Sequence, residues 1–312
     1  MATTIETKTG NLKVEDYRSN SLWRLTARRL LRQRSAKIGM AILGFLLFVA
    51  LAADFLAPYD PTQVLIGVED VRKRAPPCIH LLGCPQDQPQ HIMGIDGNVR
   101  DEFSRVIHGT RFSLFIGFTT VGFAIIVGTV LGLLAGYFSG ASDNIIMRMM
   151  DVLLAFPSLL LAIAIVSVLG PGLQNALLAI AIVSIPVYAR VVRASVLSIK
   201  EQDYVTASRA LGASSSRLVF ARILPNALPA LIVTATLGIA TGILDAAALS
   251  FLGLGAQPPT PEWGTMLGSE RNQVFTSPHL VFFPGIAIMV TVLAFNLLGD
   301  GLRDALDPRL RS

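Results

Sequence analysis

Six long apolar stretches, and the scarcity of charge around them, decide the solvent in which this chain folds. They run over about 38–57, 112–137, 152–170, 176–192, 227–250 and 281–298. A helix needs roughly 17–25 mostly apolar residues to cross a hydrocarbon core. Of the 312 residues, 52% are hydrophobic and only 15% charged, where a soluble domain carries about a quarter of its residues as charges. So few charges cannot cover a water-facing surface, and the bilayer is the expected solvent. The predicted fold class is therefore an all-α integral membrane protein with six transmembrane helices. Gly128, Gly132 and Gly136 would weaken a soluble helix. In a membrane, the same spacing lets neighbouring helices approach closely.

Basic residues orient the spans. Arg18, Arg24, Arg28, Arg29, Arg32, Arg34 and Lys37 crowd the approach to the first apolar stretch, which puts the N-terminus in the cytoplasm. Six crossings return the C-terminus, with Arg303, Arg309 and Arg311, to the same side. The segment 193–226 also falls inside, with Arg193, Lys200, Arg209, Arg217 and Arg222; 251–280 carries Arg271 alone and falls outside. Arg72, Lys73 and Arg74 run against the rule, but they sit in a long loop where such charges count little. The net charge of +5 is topology information and not a nucleic-acid footprint. Ala50-Leu51-Ala52 resembles a signal-peptidase site, but the apolar run before it is longer than a signal h-region and lies behind a long basic segment. The first span is expected to stay as an anchor.

This topology divides the chain into a cytoplasmic tail (1–37, amphipathic near 23–31), a first transmembrane helix (38–57) and an extracytoplasmic loop (58–111). A five-helix core (112–300) follows, with its cytoplasmic segment at 193–226, and then a cytoplasmic tail (301–312). The connections 139–144 and 171–175 are expected to be short loops. Within 193–226 the residues around Ala207, Ser208, Ala210 and Ala213 are small, and Gly212 interrupts them. That reads as a helix, a glycine-centred turn permitting a bend a side chain would block, and a second helix. Leu224-Pro225 is expected to end that second helix where span five begins. Small side chains would let another protein's groove close onto the backbone; an amphipathic interfacial helix without a partner is the plainer reading.

Asp245 lies inside span five, where an ionisable group is costly and points to a cavity or relay. The alternative is a solvated or paired position near the span's outer end. Asp54, at the end of span one, reads as interfacial. Phe156-Pro157, Pro186 and Pro284 interrupt spans three, four and six. A proline-broken helix can offer backbone groups to a polar path, although a tolerated kink is the favoured reading. Cys78 and Cys84, the only cysteines, sit in the outer loop near His80 and His91. An oxidising exterior favours a disulfide between them; free thiols and a metal site remain as alternatives, the latter without a familiar ligand spacing.

The chain resembles the permeases of binding-protein-dependent ABC importers, and within them the dipeptide/oligopeptide/nickel group. Thr206-Ala207-Ser208, Gly212 and Leu224-Pro225 stand where that family's cytoplasmic Glu-Ala-Ala loop has its motif; Thr206 replaces the acid. Gly94, Asp96, Arg100, Asp101, Ser104, Arg105, Gly109 and Arg111 match the stretch before span two, with Ile95 and Val99 departing from it. Further matches cover 150–163, 170–181, 188–198 and 249–264. The early span and long outer loop are similar to the second of the two paired permeases.

The resemblance implies a type I importer core with a cytoplasmic coupling helix docking on an ATPase through Asp203, Tyr204, Ala207, Ser208, Ala210, Leu211, Gly212 and Ala213. It implies a heterodimer with a second permease, two ATPase subunits, an extracytoplasmic solute-binding protein and a multi-pass place in the bacterial plasma membrane. The implied cargo is di- or oligopeptide, or else nickel or another small solute. Asp245, Phe156 and Pro157 are candidates for path lining or gating. No cofactor or metal is expected on this chain, which has no Walker-type glycine-lysine run; ATP and Mg belong to the partner ATPases, and the chain is not an enzyme. A stand-alone channel or ion-coupled carrier is the competing class, but it would ask for more intramembrane charge than Asp245. A membrane enzyme is disfavoured because three of the spans contain no Asp, Glu, His, Lys or Arg.

Overall fold

In the computed structural model, which describes residues 28–306, the elements are helical. They are α1 (Arg34–Leu51), α2 (Ala53–Leu56), α3 (Glu102–Phe138), α4 (Gly140–Leu154), α5 (Ser158–Leu169), α6 (Leu173–Lys200), α7 (Asp203–Ala210), α8 (Ser215–Leu218), α9 (Leu224–Phe251), α10 (Trp263–Glu270) and α11 (His279–Leu306). The amphipathic stretch expected near 23–31 and the basic residues Arg309 and Arg311 lie partly or wholly outside the described residues.

Five helices are long and apolar enough to cross a membrane: α1, α3, α6, α9 with the turns leading into it, and α11. The centre of the bundle is the seam between α3 and α6. Its closeness comes from the three glycines: a Cβ added at Gly128 would lie 2.7 Å from Tyr188 Cβ, and one at Gly136 2.8 Å from Val196 Cβ. With no side chain at these positions the backbones approach to contact, which is how membrane helices associate where water provides no drive. Ala124, Leu133, Tyr188, Ala189, Val192 and Val196 complete the buried seam. α9 packs against α3, α6 and α11, with Ile239 and Ile243 against Gly117. α1 lies outside that core and packs mainly on α11, where Gly39 meets the backbone at Ala294 and Leu298.

The third expected span departs from expectation. The apolar stretch 152–170 is not one helix: α4 and α5 meet at 89° across Ala155-Phe156-Pro157. Pro157 has no N–H for the helix, and its ring pushes the preceding residue out of the α region. It therefore serves as N-cap of α5 with ψ 128°, a break instead of the favoured kink. The expected loop at 139–144 is likewise mostly helix, because α4 begins at Gly140 directly after Ser139, whose φ is +55°.

Pro186 and Pro284 lie within continuous helices. Pro225 does not end a helix either. It occupies the first turn of α9, where a missing N–H is tolerated, and a π turn over Val219–Ile223 joins α8 to α9. The helical path thus runs from Ser215 to Phe251. α3 begins at Glu102, ahead of the expected boundary at 112. Asp101 caps it by accepting from the Ser104 N–H at 2.7 Å.

Candidate functional site

Two ends of the bundle carry the candidate residues, with α3, α6 and α9 running between them. At one end, 193–226 hangs from a corner made by α3, α4 and α6. The Lys200 ammonium donates to Ser139 Oγ at 2.7 Å and to the Gly136 carbonyl at 3.1 Å. Arg193 donates to Asp143 Oδ2 at 2.6 Å, which ties α6 to α4. α7 projects from this corner. Val205 is buried, as are Leu218 and Ile223 behind it, so the segment has one apolar anchor line into the core.

The opposite face is open. Asp203, Tyr204, Ala207, Ala210, Leu211 and Gly212 are exposed, while Ser208 and Ala213 are half-buried. Leu211, 89% exposed, is a large apolar side chain presented on an otherwise small and polar surface, where a partner's groove can take it up. Gly212 takes φ +84°, the left-handed turn only glycine makes without cost. Its N–H donates to the Arg209 carbonyl at 3.0 Å, and the Ala213 N–H to the Ser208 carbonyl at 3.1 Å, closing the end of α7. Asn226 donates to the Tyr204 hydroxyl at 3.1 Å. This contact joins α7 to the first turn of α9.

Phe156, at the α4–α5 break, is 56% exposed. Asp245 on α9 is half-buried, and none of the described residues pairs with it. Leu159 and Ala162 after the break and Ala246 beside Asp245 belong to one apolar cluster. Thr241 and Leu244 share the exposed side of α9 with Asp245.

At the other end, 58–101 folds over the turn-rich segment 257–278. Arg74 Nε donates to Glu270 Oε2 at 2.7 Å and the Gly97 N–H to Glu270 Oε1 at 2.9 Å. Arg105 donates to the carbonyls of Pro61 at 2.8 Å and Pro259 at 3.2 Å, and the fully buried Trp263 donates to the Val106 carbonyl at 3.0 Å. Asp96 pairs with Arg100 at 2.7 Å. The Glu262 carboxylate caps α10, accepting from the N–H groups of Gly264 and Thr265; burial pushes its pKa up, and those N–H bonds pull it back. Asp54 bonds Arg111 and His108, and the Arg111 guanidinium, followed by His108, holds its carboxyl below the usual range. Several residues that carried the sequence resemblance before span two are therefore scaffolding. Glu270 and Glu262 gave no local signal of their role, and Arg74, an exception to the charge rule for topology, is one half of an ion pair.

Cys78 and Cys84 are joined in a disulfide with Cα atoms 5.4 Å apart. His80 contacts the Gln88 carbonyl, and His91 is engaged by two carboxylates, so no His/Cys/Asp/Glu group among the described residues is arranged to hold a metal. Loop closure of this size stabilises by about 2 kcal/mol. Cys78→Ser should accordingly make 75–92 cleavable by protease at temperatures where the wild type resists. Equal resistance in the two proteins would show that the bond contributes nothing.

The family described as "binding-protein-dependent transport system inner membrane component" matches residues 128–312, and "N-terminal TM domain of oligopeptide transport permease C" matches residues 21–77. A dipeptide transport system permease protein of Alkalihalophilus pseudofirmus is 45% identical over 96% of this chain and 93% of its own length. A di/tripeptide transport system permease protein of Pseudomonas aeruginosa is 50% identical over 88% of each. A glutathione transport system permease protein of Pectobacterium atrosepticum is 44% identical over 96% and 95%. Among solved structures, the inward-facing MetNI methionine ABC transporter matches with a TM-score of 0.54 at 21% identity, covering 66% of this chain and 97% of that one. At that identity the likeness speaks for the fold alone.

Proposed function

The chain belongs to the family of binding-protein-dependent transport inner-membrane components, and from that footing we propose that it forms half of the path by which short peptides enter a bacterial cell. It is a permease subunit of an ABC importer in the bacterial inner membrane. The cargo assignment rests on one observation: relatives matching nearly the whole chain are named for dipeptide, di/tripeptide and glutathione transport. The other half of the path comes from a second, non-identical permease. Two ATPases sit below and a solute-binding protein above. Both termini and 193–226 face the cytoplasm, which places 58–101 and 257–278 outside.

In this reading α7 and the Gly212 turn are the coupling element. Exposed Leu211, with the small residues Ala207, Ala210 and Gly212 beside it, enters a groove on the ATPase. ATP closes the ATPase pair, and the movement reaches α6 and α9 through the Lys200–Ser139, Arg193–Asp143 and Asn226–Tyr204 contacts. Because α3 and α6 are locked by the glycine seam, they move together, and the path switches between two packings. Phe156-Pro157 at the α4–α5 break and Asp245 on α9 line that path. The Asp245 carboxylate, unpaired within this subunit's described residues, meets the peptide's ammonium group, since a lone charge at membrane depth needs a partner.

Reconstitution with the partner permease and ATPases tests the cargo: ATP-driven uptake of a labelled dipeptide is expected, and uptake of nickel in its place would overturn the assignment. Asp245→Asn should lower peptide uptake at least about tenfold, the size of a lost hydrogen bond to a charged group, with assembly unchanged. Wild-type uptake by that variant would remove Asp245 from the path.

A further inference from the structure

Glu102, at the start of α3, is 2% exposed. Among the described residues no hydrogen bond reaches its carboxylate, and Oε1 lies beyond the reach of solvent. The acids around it are all engaged. Asp96 accepts from the Arg100 side chain at 2.7 Å and from the N–H groups of Asn98 and Arg100 at 2.8 and 2.9 Å. Glu270 accepts from Arg74 and from the Gly97 N–H, and Asp101 is taken up by Ser104 and His91. Arg105, three residues along α3, makes no direct ion pair with Glu102. Its Nε lies 3.5 Å from Asp96 Oδ2 and its Nη1 donates to two carbonyls, so Nη2 is used by no hydrogen bond among the described residues. A buried carboxylate without a partner is costly, and an acid and a base that line one space without touching raise the question of what sits between them.

That space is a cavity of about 10 Å³ lined by Glu102 and Arg105, by Asp96 and Arg100 from 58–101 and by Met266 and Glu270 from α10, with the exposed Ser269 completing it. A single water needs about 10–15 Å³ and two to four polar partners. Three partners are present: the Glu102 carboxylate accepts, Arg105 Nη2 donates, and Ser269 Oγ accepts, its own hydrogen going to the Thr265 carbonyl at 2.8 Å. The charges also balance. Asp96, Glu102 and Glu270 stand against Arg74, Arg100 and Arg105, so a bound cation would add charge that nothing there offsets. We propose that this cavity is the binding site of one structural water, which donates to Glu102 and accepts from Arg105 and so turns the two into a water-bridged ion pair. The bridge joins the outer segment, α3 and α10 at one point, beside the direct Arg74–Glu270 pair. It depends neither on the cargo nor on the sidedness proposed above.

The test is a structure of the detergent-purified full chain with its co-purifying subunits, at a resolution that shows ordered water. One density peak is expected within about 2.6–3.2 Å of both a Glu102 carboxylate oxygen and an Arg105 nitrogen. Well-ordered side chains with no peak between them overturn the site. So does a peak ringed by six or more oxygens at about 2.3–2.6 Å, which is the signature of a cation. Stability gives a second reading. Glu102→Leu removes the acceptor and leaves Arg105 buried without it, so the melting midpoint of the purified complex should fall by about 5 °C or more. Were Glu102 without any partner, the same change would relieve an unanswered buried group and the midpoint would rise. A raised or unchanged midpoint therefore overturns the bridge. The wild-type density decides alone if the variant does not fold.

Discussion

Replacing Gly132 by leucine is expected to leave almost no folded protein in the membrane. A Cβ at this position would lie 2.8 Å from Val192 Cβ and press on the Ala189 carbonyl oxygen, and the rest of the leucine has nowhere to go. Backbone cannot swing aside as a side chain can, so the α3–α6 seam must open, and Gly128 and Gly136 lose their contacts with it. Overpacking a tight core costs about 1–3 kcal/mol and occasionally more, and this site lies at the upper end because the obstruction is main chain. The measurement is the yield of monodisperse protein in mild detergent, beside Gly122→Leu as control. A Cβ at Gly122, on the same helix, meets nothing within 4 Å, so that variant should behave like the wild type. If the two variants survive equally, the seam is not what holds the bundle.

The second large effect is functional. Gly212→Trp should abolish ATP-driven uptake while the chain still inserts and folds. Nothing lies within 4 Å of a Cβ built there, so within this subunit the cost is confined to placing a side chain at φ +84°, about 1–2 kcal/mol. Gly212→Ala carries the same backbone cost without the bulk. Uptake retained by the alanine variant and lost by the tryptophan variant is the signature of a surface that another protein must cover. Normal uptake by Gly212→Trp would sink the docking assignment.

What could be read in advance follows from the range of each interaction. Continuous spans announce themselves locally as apolar runs: α3, α6, α9 and α11 contain the stretches expected of them, while the first stretch, 38–57, is divided between α1, which ends at Leu51, and the short α2. Gly212 was legible for the same reason, as one glycine among small residues in a long polar segment. The break at Pro157 was not, because apolar residues continue on both sides of it and hydropathy does not register an 89° bend. α4 was partly hidden by its own polarity, since Asp143, Arg148 and Asp151 look like a connection when they are one side of an amphipathic helix. Pro225 misled because a proline reads as a stop, whereas a first-turn position preceded by a π turn absorbs it. The outer scaffold was least accessible. Arg74 and Glu270 are 196 residues apart, and such a pair leaves no mark near either partner. The acids around His91 lie 10 and 22 residues from it in sequence, too far for any pattern to join them.

Purification of a tagged copy from its native host in mild detergent, with identification of everything that accompanies it, tests the central claim most directly. A second permease together with one or two ATPases is the expected result, with the ATPases absent when the tagged copy carries Gly212→Trp. A homogeneous preparation free of any ATPase that still moves solute after reconstitution would contradict it, and would make the chain a channel or carrier acting by itself.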